Sequence, residues 1–486
     1  MLRISIFPVL LSLSCATVLP GSRVDASVAP SPAQEWVPPQ PRPTPSPATP
    51  PADLMAQFKP GMQVTLQQLL AYALSNNPQT RSAWLSARAA AAGAASRRSA
   101  YYPTINGSGQ FSFSHTSIVT QVVKPDGTTG LGFVPFENWT LTPSASLTWL
   151  LLDFGGRSAD VEEADRLLDA ANLNHDATIQ NLLLTVEQAY FQYQAAKGLL
   201  TAAQVTVNET QENLRAAEER RRAGLATIAD VLQAKTQYSQ AILAQQQAEG
   251  NVATIRGALA TSLGVPANLP VDVVELPEKL DVQPLGESID KLIERAQVQR
   301  PDLARARAQA LAASSHADSI HSRGLPSLLL GGNASRVNYL WSRFTDCCYI
   351  TYNFALTLNI PIFNGFKDTS DLLQAREQAK AAQADAESVE QQVILQVWQS
   401  YQAVKTAEKQ LVSSQDLLAS SRQSAEVAEG RYKAGVGSIL DVLTAQTALA
   451  NARAQDVQAR ANWLLSIASL AHDTGALGPG TPEAKQ

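Results

Sequence analysis

The chain has 486 residues, enough for two or three ordinary domains or one large repetitive one, and carries 38 Lys and Arg against 43 Asp and Glu. The net charge of −5, with no basic patch, excludes nucleic acid as the main partner. Aromatic residues make up only 6% while Ala, Gln and Leu crowd long stretches, a composition that suits extended helices better than a thick globular core.

At the N-terminus Arg3 precedes an apolar run, Ile4 to Leu19, that Pro8 interrupts and that is too short to span a bilayer. Val24-Asp25-Ala26 offers small residues where a signal peptidase reads, so residues 1–26 are expected to be a signal peptide cleaved before Ser27. A rival reading makes Cys15 the acylated first residue of a lipoprotein, a signal that Ser12-Leu13-Ser14 fits loosely. Either way the chain leaves the cytoplasm. Residues 30 to 51 hold ten prolines in 22 positions, and the stretch 27–62 is expected to be an extended, semi-rigid tether. The folded region starts near Thr65, whose hydroxyl pairs with Gln68 as a capping box.

The rest of the chain is one unit written twice. LAYALSNNPQTRSA (70–83) lies over IERAQVQRPDLARA (293–306) at an offset of 223, aligning Pro78 with Pro301, and the same offset carries Pro103 onto Pro326. Further on the offset falls to 211, where Val186 to Tyr190 lies over Val397 to Tyr401 and RRAGLATIADVL (221–232) lies over YKAGVGSILDVL (432–443). The difference of 12 falls after the second proline of each unit, which marks that segment as a surface loop. The repeats are placed at 63–275 and 276–475, with a flexible tail at 476–486.

Each unit has the same predicted order. A first helix (about 65–100 and 287–323) stops before proline. Two strands follow, at 105–114 and 140–149 in the first unit and at 327–339 and 354–360 in the second, with apolar and polar residues alternating. Asp126-Gly127 marks a turn between the first pair. Then come proline-free helical patterns, 157–222 and 367–434, each about 100 Å if straight. A helix of some 35 residues returns from each corner.

The strand alternation allows a soluble sheet packed on the helices, or a membrane sheet with lipid on one face and water on the other. Ten residues tilted near 45° cover about 23 Å, close to the apolar band of outer-membrane barrels at about 25 Å. Asn, Ser, Thr and Gln on the polar face suit a wet lumen better than open solvent. Four strands cannot close a barrel, and open edges in hydrocarbon are costly, so a barrel requires self-association. At the corners, Gly224 and Gly435 are placed to take the left-handed conformation that ends a helix. Thr227 with Asp230, and Ser438 with Asp441, then form capping boxes for the returning helices. On this reading each aspartate closes its own turn, which does not exclude a second role.

The twofold unit, VTLQQLLAYALSNNPQ with its echo RAQVQRPDL, the passages LLLDFGGR and IPIFNGFK, and the paired corners together resemble the TolC-type outer-membrane efflux family, the channel-tunnels, over nearly all of residues 64 to 475. The resemblance implies a mainly α fold with a membrane β-barrel portion: a homotrimer whose four strands per chain make one 12-stranded barrel, continued by a helical tunnel across the periplasm. It implies an exit duct for drugs, toxic small molecules or ions, fed by a periplasmic adaptor and an inner-membrane efflux pump or ABC transporter. The family's aspartate ring falls on Asp441, while its second acidic position is Thr444 here. Asp230 and Tyr432 match its closing network, whose arginine falls at Gly437. The loops carrying Gly224 and Leu225, and Gly435 and Val436, would meet the adaptor.

An outer-membrane component of type I polypeptide secretion shares this architecture, and a soluble periplasmic helical scaffold is the rival of another class. No enzyme is expected. The five histidines (115, 175, 316, 321, 472) lack paired ligand spacing, and neither a phosphate loop nor a nucleophile elbow is present, so no cofactor or metal is expected. Cys347 and Cys348 are adjacent, poorly placed to bridge one another, and read as loop residues.

Overall fold

The computed structural model describes residues 28–36, 63–276, 280, 286–341 and 348–477. Cys15, Cys347, the signal segment and most of the tether lie outside them. The chain divides into two compact units, each drawing on both repeats: one holds the described parts of Met1–Ala91, Leu168–Ala308 and Ala384–Gln486, the other those of Ala92–Leu167 and Gln309–Gln383.

In the first unit, each expected first helix is two. β1 (Gln63–Val64) leads into α1 (Leu66–Asn76), with the Thr65–Gln68 capping box in place, and α2 (Pro78–Arg98) follows. Their counterparts in the second repeat are α5 (Ile289–Gln299) and α6 (Pro301–Arg323). The joints are Asn77 and Arg300, both extended at ψ of 127° and 118°. The cause is local: the proline that follows excludes the helical conformation of its predecessor, and then suits the first position of the next helix.

The long helices are α3 (Gly156–Arg222) and α7 (Lys367–Lys433), and the returning helices are α4 (Ile228–Ser262) and α8 (Ile439–Asp473). After α4 and α8 the chain turns at Gly264 (φ +81°) and Gly475 (φ +74°), which press against the two joints. A Cβ on Gly264 would stand 3.1 Å from the Asn77 Cα, and one on Gly475 would stand 2.9 Å from the Gln299 carbonyl carbon. β4 (Asp272–Val273) pairs in parallel with β1. Around this ladder Leu69, Tyr72, Val186, Tyr190, Leu259 and Val273 form the first repeat's core, while Leu292, Leu303, Val393 and Val397 form that of the second.

Residues 28–36 differ from the expected free tether. Val28 and Ala29 are buried, and the Trp84 indole N–H donates to the Ala29 carbonyl at 2.8 Å. The Trp36 N–H donates to the Asp176 Oδ1 at 2.6 Å, and the His175 Nε2 lies 3.1 Å from the Gln34 carbonyl. Proline-rich composition predicts extension, but buried partners on α3 hold these nine residues down.

The second unit contains one antiparallel sheet ordered β2-β3-β5-β6, from β2 (Thr104–Val123), β3 (Thr129–Leu152), β5 (Ser327–Trp341) and β6 (Cys348–Asn359). The first two strands run to 20 and 24 residues, about twice the expected length, because the pairing continues without a break to Val123↔Thr129 around the Asp126-Gly127 turn. Both strand-to-helix passages turn on two successive left-handed residues, Phe154-Gly155 and Gly365-Phe366. Arg157 fastens the first passage by donating to the Leu150 and Leu151 carbonyls at 2.5 and 3.0 Å.

The sheet has two unlike faces. One carries a ladder of paired hydroxyls: Ser108 to Ser144 at 2.7 Å, Ser112 to Thr140 at 2.8 Å, and Ser335 to Thr351 at 2.7 Å. The other carries Phe111, Leu141, Ile350, Tyr352, Phe354 and Leu356, all open to the surroundings, with Phe354 exposed by 74%. Among the described residues these side chains are left exposed, unlike the buried apolar face expected of a sheet packed on helices. Among the described residues β2 and β6 each pair on one side only. No described helix is long and apolar enough to cross a membrane.

Candidate functional site

The twin corners of the first unit hold every residue singled out by the repeat. Each is closed the same way. At the end of α3 the Leu225 N–H donates to the Arg220 carbonyl at 2.8 Å and the Gly224 N–H to Arg221 at 3.0 Å, with Gly224 at φ +75°. At the end of α7 the Val436 N–H donates to Arg431 at 3.0 Å and the Gly435 N–H to Tyr432 at 3.1 Å, with Gly435 at φ +76°. This is the Schellman pattern, and only glycine enters that left-handed position without strain.

Capping boxes then start the returning helices. The Thr227 N–H donates to Asp230 Oδ2 at 2.8 Å and the Asp230 N–H donates back to the Thr227 Oγ1 at 3.3 Å. In the second corner the Ser438 N–H donates to Asp441 Oδ2 at 3.1 Å and the Asp441 N–H to the Ser438 Oγ at 3.1 Å. The bonds from Ser438 hold the Asp441 carboxyl below the usual carboxylate range, with the Arg431 charge acting the same way. Asp441 is therefore both a cap and an exposed carboxyl whose charged form the turn favours.

Between the corners one side chain reaches across. The Arg220 Nη1 donates to the Tyr432 carbonyl at 2.6 Å, and its guanidinium lies over the Tyr432 ring, 4.4 Å from the centroid. Burial pushes the Tyr432 hydroxyl up; the Arg220 charge opposes this and the Asp230 charge adds to it. The structure thus brings Asp230 and Arg220, which the repeat did not single out, to Tyr432, while Asp441 is paired with Ser438 in its own capping box. In the sequence Arg220 heads the run Arg220-Arg221-Arg222, where basic residues read as partners of the helix C-terminus. Nothing in that spacing announces the contact.

Further up, the Arg453 guanidinium of α8 grips both oxygens of Glu209 on α3 at 2.8 Å, and Asn213 bonds Gln446. At the turns Leu225 and Val436 stand 71% and 69% exposed, with Ile228, Leu232 and Leu440 open beside them. Among the described residues no group of His, Cys, Asp and Glu could hold a metal ion.

The sequence profile of the outer membrane efflux proteins matches residues 69–265 and 292–476. The chain is 28% identical over 439 residues to the protein CyaE of Bordetella pertussis, covering 90% of this chain and 88% of that one. It is 26% identical over 405 residues to the probable efflux pump outer membrane protein TtgC of Pseudomonas putida, covering 83% and 81%. A crystal structure of CusC superposes with a TM-score of 0.73 at 23% identity, covering 85% of this chain and 92% of the other.

Proposed function

This chain belongs to the outer membrane efflux protein family, and from that premise we propose that it is a passive exit duct gated at its twin corners, working as a homotrimer. The duct sits in the outer membrane and extends into the periplasm. Four strands per chain, joined edge to edge between copies, make a 12-stranded barrel with the exposed apolar face on lipid and the hydroxyl ladder on water. The unlike faces of that sheet are the observation that carries this reading, because a strand edge in hydrocarbon leaves costly unpaired groups unless another copy joins it.

Each long helix runs for 67 residues before its corner, about 100 Å by helix length alone. A periplasmic adaptor meets Leu225 and Val436 at the turns. An inner-membrane pump supplies energy and substrate. By analogy with the toluene efflux pump outer membrane protein TtgC of another Pseudomonas putida strain, 26% identical over 405 residues, that substrate is a small molecule. Asp441 from three copies forms a ring of negative charge at the mouth, favouring cations. The Arg220–Tyr432 contact holds the corners closed.

Fractionation of the full chain with native mass measurement tests the assembly: a trimer in outer membranes is the expected result, and a soluble monomer overturns it. The ring has its own test. Asp441→Asn keeps an oxygen for the Ser438 N–H and removes the charge, so cation preference in planar bilayers should fall with little change in melting temperature. Unchanged ion selectivity would leave Asp441 as a cap alone.

A further inference from the structure

The first hairpin outruns the sheet. β3 pairs with β5 only from Trp139 to Leu152, and from Thr129 to Asn138 its one described partner is β2. Ten residue pairs, Ser114↔Asn138 to Val123↔Thr129, therefore stand as a two-stranded ribbon roughly 33 Å long. The second hairpin has only residues 342–347 between its strands. The ribbon begins where an aromatic cluster ends: the Trp139 ring lies 5.4 Å from Phe111 and 4.8 Å from Phe113. One polar pair follows on that face, the His115 Nδ1 at 3.0 Å from the Glu137 Oε1.

Beyond that pair both faces carry large apolar side chains, interleaved with Ser117 and Gln121 on one and with Thr116 and Thr120 on the other. On the lipid-side face Val119 pairs with Phe133, next to Leu131; on the face that carries the hydroxyl ladder below, Ile118 pairs with Val134, next to Val122. Leu131 and Phe133 are 76% and 78% exposed. Gly132 lies directly beneath Val122, where a side chain would collide with it, so the ribbon is thin there. A lone two-stranded ribbon is marginal in water, and one that carries large apolar side chains on both sides needs a partner on each. A threefold ring supplies that: each ribbon has two neighbours, and the contact joins unlike faces, as ring closure requires.

Resting on the trimeric duct proposed above, we infer that the three ribbons overlap over the outer mouth, the Ile118 face of each lying on the Phe133 face of the next, and form a second constriction at the exit. The occupant of each apolar face is another copy of this chain. Only three ribbons stand over the barrel, because the second hairpin of each copy stops short.

Disulfide trapping on the full chain tests this, in a Cys347→Ser/Cys348→Ser background. Ile118 and Phe133 lie on opposite faces, so the pair Ile118→Cys/Phe133→Cys cannot close within one chain. Oxidation on intact cells should convert most of the double variant to a covalent trimer and lower its single-channel conductance severalfold, reversibly with reductant. Each single variant should stay uncrosslinked. A trimer by native mass with no covalent trimer on oxidation overturns the overlap, as does a dimer formed by Ile118→Cys alone, which would place like faces together. A monomer by native mass sinks the trimeric reading itself, and the overlap with it.

Discussion

Arg220→Ala is expected to leave the inner mouth open. The substitution removes a charge-assisted bond to the Tyr432 carbonyl and the guanidinium stacked on its ring, and leaves both helix caps intact. Hydrogen bonds to charged groups are worth about 1.5–3 kcal/mol and partly desolvated cation–π contacts about 0.5–2 kcal/mol. Counting about 2 kcal/mol for the non-additive pair, the open population rises roughly thirtyfold, since every 1.4 kcal/mol is a factor of ten. Single-channel recordings should show a larger, steadier conductance, and cells should admit bulky antibiotics. Arg220→Lys keeps the charge and loses the planar stack, so it should fall between. A conductance unchanged in both variants would show that the contact does not bear on opening.

Asp176→Asn is expected to flatten the pH dependence of the docked segment 28–36. Burial pushes the Asp176 carboxyl up to about 7, against the single N–H that Trp36 donates, and Glu35 adds to the rise. Burial pushes the Glu35 carboxyl up as well, and pushes the neighbouring His175 down. Because the folded value lies above the ordinary 3.8 of an aspartate, the folded state holds the extra proton. The stability from Asp176 is full below the ordinary value and is lost as pH climbs through about 7. At about 1.4 kcal/mol per pKa unit the loss is of order 4 kcal/mol at most. The amide keeps an oxygen for the Trp36 N–H and never ionises. Protease release of the N-terminal segment should therefore rise with pH in the parent and rise less steeply in the variant, where Glu35 and His175 still titrate. An equal slope in both would remove Asp176 as the cause.

Most of this architecture is legible in the chain itself, for physical reasons that can be named. The corners read clearly because a left-handed glycine and a Ser or Thr cap with Asp three residues on are local devices, set by neighbours in sequence. The long helices read to within one residue, since no proline interrupts them and glycine follows their ends. The joints at Asn77 and Arg300 were not legible as breaks, because the apolar phase runs through them and hides what Pro78 and Pro301 do. Strand length was not, because Ser117 to Val123 alternates weakly and gains its partner only through register. Arg220 was invisible for a deeper reason: its partner Tyr432 lies 212 residues away. Docking of residues 28–36 is hidden in the same way, since the buried partners on α3, Asp176 accepting and His175 donating, are nowhere near them in sequence.

The hydroxyl ladder has a consequence for what moves past it. On that face Ser108 and Ser144, Ser112 and Thr140, and Ser335 and Thr351 already have each other as partners, so these hydroxyls wet the wall yet offer a traveller little to grip. Transit is fast where binding is shallow. A lining of mutually occupied alcohols makes the last stretch of the route slippery to cargoes of many kinds, leaving any choosing to be done at the ends.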